Sequence, residues 1–136
     1  MKPARCRDRG AVSLEVAITA PLLILLAMFL IFCGRAASAA IDIHAAAAAA
    51  ARAAADAAGP AAAAVSAQEA VAAAGAGTAW SCTTRTESSG RWRGGQVTVA
   101  VSCVVPLTDL GVPFGASRTV TASATQPVDT YRAGPP

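Results

Sequence analysis

"RDRGAVSLEVAITAPLLILLAMFLIFCG", residues 7–34, decides the fold. Arginines run into Gly10, and soon after comes an uncharged stretch, Val16 to Gly34. It holds 19 residues, which at about 1.5 Å each span roughly 28 Å, close to the hydrocarbon thickness of a bilayer. Residues 22–26 and 28–32 are large and apolar without a polar interruption, so every face of a helix here is apolar. The stretch therefore reads as a transmembrane helix. Pro21 lies inside it and is expected to kink or loosen it, which membrane helices tolerate. Glu15 stands at the start of the run. Drawn toward the bilayer centre, a carboxylate there costs on the order of a few kcal/mol. Its bland explanation is an interfacial residue favoured by the helix dipole.

The bulk numbers agree with an anchored protein. The chain has 136 residues, 54% of them apolar, 4% aromatic and 14% charged, enough for one modest domain but not for two well-buried cores. The large aliphatic residues cluster in one place, and elsewhere the apolar fraction is mostly alanine. Lys2, Arg5, Arg7 and Arg9 face only Asp8 in the first ten positions, which marks residues 1–10 as a basic cytoplasmic leader. Everything beyond the membrane helix, assigned to residues 11–34, is then extracytoplasmic in a single-pass cell-membrane protein. A net charge of +3 is too small and scattered to suggest nucleic acid.

Residues 35–78 form an alanine-rich region. Arg35 to Ala58 holds strong helix formers throughout, with Arg52 and Asp56 placed to pair weakly. Gly59-Pro60 breaks that helix and Pro60 starts another, running to about Ala74 and ending at Gly75/Gly77. The chemistry then changes to Thr, Val and Ser, giving a small β domain over 79–136 with a Pro-rich tail. "QVTVAVSCVV" (96–105) alternates strictly and reads as a half-buried strand, with Val97, Val99, Val101, Cys103 and Val105 on one face. "AWSCTTRTES" (79–88) and "SRTVTASATQ" (117–126) are its expected neighbours, the latter with Val120, Ala122 and Ala124 on one face. "PLTDLGVPFG" (106–115) is a loop that Pro106 and Pro113 punctuate. The fold class is thus an α+β membrane protein: a long N-terminal transmembrane helix continuing outside, a short second helix, and a small antiparallel sheet of about three strands.

The four cysteines show no CxxC, and a zinc site is not expected from ligands so spread out. If Gly90 and Gly95 close a hairpin around "RWRG", opposed residues have numbers summing to 185. Cys82 then faces Cys103, Trp80 faces Val105 and Thr84 faces Val101. Opposed residues lie within the reach of a disulfide, and an oxidising exterior permits one. A Cys82–Cys103 bridge is expected, contributing about 3 kcal/mol; two free buried thiols are the other reading.

The basic leader, Gly10, the immediate apolar run and Glu15 resemble the class III (type IV) prepilin signal. The resemblance implies cleavage by a prepilin peptidase between Gly10 and Ala11, with Glu15 as fifth residue of the mature chain. The whole stretch from Arg7 to Ala57 resembles the TadE-like family of the tight-adherence (Flp-type) pilus system, with its RG-x-x-x-x-E start, "PLL" membrane core and alanine/arginine helix. Residues 97–132 resemble the C-terminal half of high-GC bacterial members. Val16 stands where a major Flp pilin has tyrosine, so the resemblance is to a minor pseudopilin or pilus-assembly factor. It implies as partners the membrane, a prepilin peptidase, the assembly platform and other pilin or pseudopilin subunits.

Two other readings stand beside it. "ASA" at 37–39 could serve an ordinary signal peptidase, releasing a small secreted β domain; the uncharged stretch is long for that. Alternatively, the chain is an uncleaved single-pass anchor unrelated to pili. An enzyme is not expected, since no acid–base pair, nucleophile or metal set is legible, and neither a cofactor nor a small-molecule substrate is implied. His44 reads as an exposed imidazole. Trp92, between Arg91 and Arg93, marks either a sticky hairpin tip or a solvated turn. The alanine run 45–51 either lets helices approach closely or is plain low complexity.

Overall fold

The computed structural model describes residues 8–108 and 115–131, with side chains from Glu15 onward. The leader up to residue 7 with Cys6, the segment 109–114 with Pro113, and the tail 132–136 lie outside the described residues. Element order is α1 (Asp8–Ala55), α2 (Pro60–Ala74), β1 (Ser81–Ser89), β2 (Gln96–Pro106) and β3 (Ser117–Pro127). The chain divides into two compact units at Arg35/Ala36, and α1 contributes to both.

In the first unit, α1 runs unbroken through Pro21. Leu22 to Leu26 and Met28 to Ile31 are each between 52% and 65% exposed. Nine large apolar residues around the whole circumference of a helix form a surface that water disfavours and a lipid phase accepts. One helix here is long and apolar enough to cross a membrane. The helix itself begins at Asp8 and so takes in Asp8 to Gly10.

In the second unit, α1 changes character. Ala39, Ile43, Ala46, Ala47, Ala50, Ala51 and Ala54 are buried, recurring at helical spacing along one stripe. The alanine run 45–51 is thus packed inside this unit on one side. The helix ends at Ala55, short of the expected Ala58, because the last turn tightens. The Asp56 N–H still donates to the Arg52 carbonyl at 3.0 Å, but the Ala57 N–H reaches back only three residues, to Ala54 at 3.2 Å. Gly59 is fully extended, Pro60 occupies the first turn, and the Ala63 N–H makes the opening bond to the Gly59 carbonyl at 2.9 Å. Helix α2 buries Ala63, Ala67 and Val71, four residues apart each time, and lies against β1.

The three strands form one antiparallel sheet in the order β1-β2-β3. Register follows the expected sum: Cys82 is opposite Cys103 and Thr84 opposite Val101. The ladder starts at Ser81↔Val104, however, so Trp80 falls outside it instead of facing Val105. Trp80 sits where the chain crosses from α2 into β1 and lines the space between them. Pro106 ends β2 instead of belonging to the loop. Its missing N–H is harmless there, because its would-be partner across β1 lies beyond the end of that ladder. Val97, Val99, Val101, Cys103 and Val105 are all at most 1% exposed, and Ala122 of β3 lies on the same face. Ala36, Ala39 and Ala40 of α1 share a cavity of about 100 Å³ with Val105 and Val120, which puts the helix on this inner face.

The Cys82–Cys103 disulfide is formed, with Cα atoms 4.0 Å apart. Gly90 to Gly95 make the β1–β2 turn, and Gly90 (φ 80) and Gly94 (φ 78) take the left-handed region. Trp92 is half-buried at this tip.

Candidate functional site

The residues singled out at the N-terminus all fall on α1. Gly10 and Ala11 are inside the helix, and Glu15 is one turn further on, four positions after Ala11. That spacing puts Ala11 and Glu15 on one helix face. Glu15 is exposed. Its backbone carbonyl receives the Thr19 hydroxyl at 2.7 Å, the i−4 bond by which a threonine satisfies its own polar group within a helix. Among the described residues, no side chain forms an ion pair or hydrogen bond with the Glu15 carboxylate.

Glu15 and Arg35 are the charged residues that bracket the apolar surface. On a continuous helix their separation of 20 positions is about 30 Å along the axis, which is the hydrocarbon thickness. Both charges can therefore sit at the two boundaries of one bilayer, and the carboxylate need not enter its centre.

The second unit holds two larger clefts. One, of about 490 Å³, is bordered by His44 and by sheet residues including Thr84, Val101 and Ala122. His44 is exposed, and Asp42, two positions away, cannot face it on a helix. Among the described residues, no group of three His, Cys, Asp or Glu side chains is placed to hold a metal ion. The other cleft, of about 530 Å³, lies between α2 and β1, with Gln68, Val71 and Gly75 on the helix side and Trp80, Cys82 and Thr84 on the strand side. Trp80 Nε1 is buried there without a hydrogen-bond acceptor. Sequence reasoning missed this place. Trp80 carried no signal beyond being aromatic, and its position depends on how α2 meets the sheet.

No curated protein and no solved structure matches the chain. The family model described as TadE-like protein matches residues 10–52, a segment wholly within α1 that begins at Gly10, contains Glu15 and the apolar run, and takes in most of the buried alanine stripe. Over the part of α1 that carries Gly10, Ala11, Glu15 and the apolar run, the chain is thus similar to TadE-like proteins.

Proposed function

We propose that the protein is a minor pseudopilin that takes part in assembling a tight-adherence, Flp-type pilus. It acts as a structural subunit, without catalysis, cofactor or small-molecule substrate. The N-terminus lies in the cytoplasm, α1 crosses the cell membrane once, and the second unit stands outside. A prepilin peptidase cuts between Gly10 and Ala11, removing the arginines and leaving a new ammonium on Ala11. In the assembly, the Glu15 carboxylate of one subunit neutralises the Ala11 ammonium of its neighbour. Away from bulk water such an attraction is several-fold stronger than in solution, so pairing is worth most where subunits exclude water from the boundary.

The observation that carries this reading is an exposed acid one helical turn after the Gly10–Ala11 bond, at the start of a membrane-length apolar helix within the TadE-like segment. The secreted reading fits less well. A signal peptidase cut after "ASA" would sever α1 next to Ala39, which is 7% exposed, and four residues before the fully buried Ile43. The chain also supports a simple uncleaved anchor, which differs in its mature terminus.

Intact-mass measurement on protein extracted from its native membrane tests the proposal. A chain beginning at Ala11 is the expected result. A chain beginning at Met1 in normally piliated cells overturns the processing step, and one beginning near Ala40 overturns the anchor as well.

A further inference from the structure

The β1–β2 turn concentrates charge that the rest of the second unit lacks. Residues 88–97 (SSGRWRGGQV) contain Arg91 and Arg93 and no acid, whereas the remainder of 36–136 carries more acids than basic residues. Arg85, on the neighbouring strand, is already neutralised, since its Nε donates to Glu87 Oε1 at 2.8 Å. Arg91 and Arg93 are both exposed. Among the described residues, neither of their guanidinium groups has an ion pair or a hydrogen-bond acceptor. Two unpaired cations two positions apart on a narrow turn set up a local positive field. The acid that the C-terminal segment brings alongside is Asp129, and its Oδ1 already accepts the Tyr131 N–H at 2.9 Å.

This turn is also held in place. Gly90 and Gly94 take left-handed φ values. The Gly94 N–H donates to the Val128 carbonyl at 3.1 Å, and the Val128 N–H to the Gly95 carbonyl at 3.0 Å. Val128 itself is buried, so the segment after β3 clasps the base of the turn. A tip fixed in this way loses little conformational freedom when it meets a ligand. Between the two arginines stands Trp92, half-buried and partly open to solvent. An indole flanked by two guanidinium groups combines an apolar plate with two forks for oxyanions.

We propose that this tip docks an acidic polysaccharide, a chain of pyranose rings bearing carboxylates. Arg91 and Arg93 pair with the carboxylates, and the Trp92 ring lies against the apolar C–H face of a sugar. Charge and size favour this partner. The planar forks match carboxylates in two-point contacts. A six-residue turn is too small for the roughly 800 Å² that each side of a stable protein–protein interface buries. A polymer instead engages such a tip a ring or two at a time and gains avidity when several tips hold one chain. Single-stranded nucleic acid calls for a run of stacking platforms along a basic groove, and the turn has one ring. A bilayer surface calls for a broader apolar face than one half-buried indole. The contact goes beyond the role in pilus assembly, lies in the second unit alone, and does not depend on cleavage at Gly10 or on Glu15.

Titrating the full chain with polygalacturonate, in a non-ionic detergent without sugar headgroups, tests it. Saturable binding is expected, with the Trp92 indole N–H resonance shifting and that of Trp80 unmoved. Arg91→Gln combined with Arg93→Gln should weaken binding by about tenfold or more. Arg118→Gln should leave it unchanged, because Arg118 lies opposite Val105, at the end of β2 away from the turn. Dextran, which has the sugar rings without the carboxylates, should bind about tenfold more weakly or not at all. Absence of saturable binding, equal binding of dextran, or an equal loss in Arg118→Gln and in the double variant overturns the proposal. Tighter binding of polyglutamate, of oligothymidylate or of phosphatidylglycerol mixed into the micelles overturns it as well, by assigning the tip to an acidic protein, a nucleic acid or a lipid surface.

Discussion

Single residues differ here chiefly in whether a neighbour covers them. Ile43 is completely buried and Ile41, two positions away on the same helix, is 67% exposed. Ile43→Ala should therefore cost about 2–5 kcal/mol, while Ile41→Ala should stay within about 0.5 kcal/mol. Denaturant unfolding in micelles followed by tryptophan fluorescence reads both, and equal effects would contradict the burial. Glu15 is a different case, because its partner is proposed to lie on another subunit. Glu15→Leu should insert into the membrane at least as well as the wild type, since the cost of the carboxylate is gone. Pilus output should nevertheless fall, as surface-pilus quantification would show; unchanged piliation removes the role assigned to this acid.

At the level of elements, the hairpin is fixed by its turn and its disulfide. A Cβ on Gly95 would collide with the backbone carbonyl oxygens of Arg91 and Ser89, and neither can move without opening the turn. Gly95→Ala should thus destabilise the hairpin by more than about 2 kcal/mol, measured as loss of β2 amide protection. Gly59 has open space around it and an extended backbone that any residue adopts, and Gly59→Ser should add a side-chain cap to α2 at little or no cost. Replacing Cys82 and Cys103 together by serine should cost about 3 kcal/mol, a large share for a core made of valines and alanines. These elements were largely legible in advance. Alternation in 96–105 has a period of two, Gly59-Pro60 is a chemical stop, and two cysteines on a common register constrain each other. The end of α1 was read three residues too late, since alanine favours helix equally at 55 and 58 and only the reversal of the chain chooses between them.

For the whole molecule, the 20-residue interval between Glu15 and Arg35 sets where a membrane can lie along α1. With the orientation proposed above, protease added outside intact spheroplasts should digest the second unit and spare an N-terminal fragment containing residues 15–35. Full protection would reverse the orientation. What the sequence alone determined was whatever carries contrast along the chain: the apolar span between charges, the helix break, the strand alternation and the cysteine register. The alanine stretches carry no such contrast, because a helix of one residue type has no preferred face. Only packing within the second unit decided that Ala39, Ala46, Ala47, Ala50, Ala51 and Ala54 point inward. The seat of Trp80 likewise emerged only in three dimensions, since it depends on which strand or helix lies alongside.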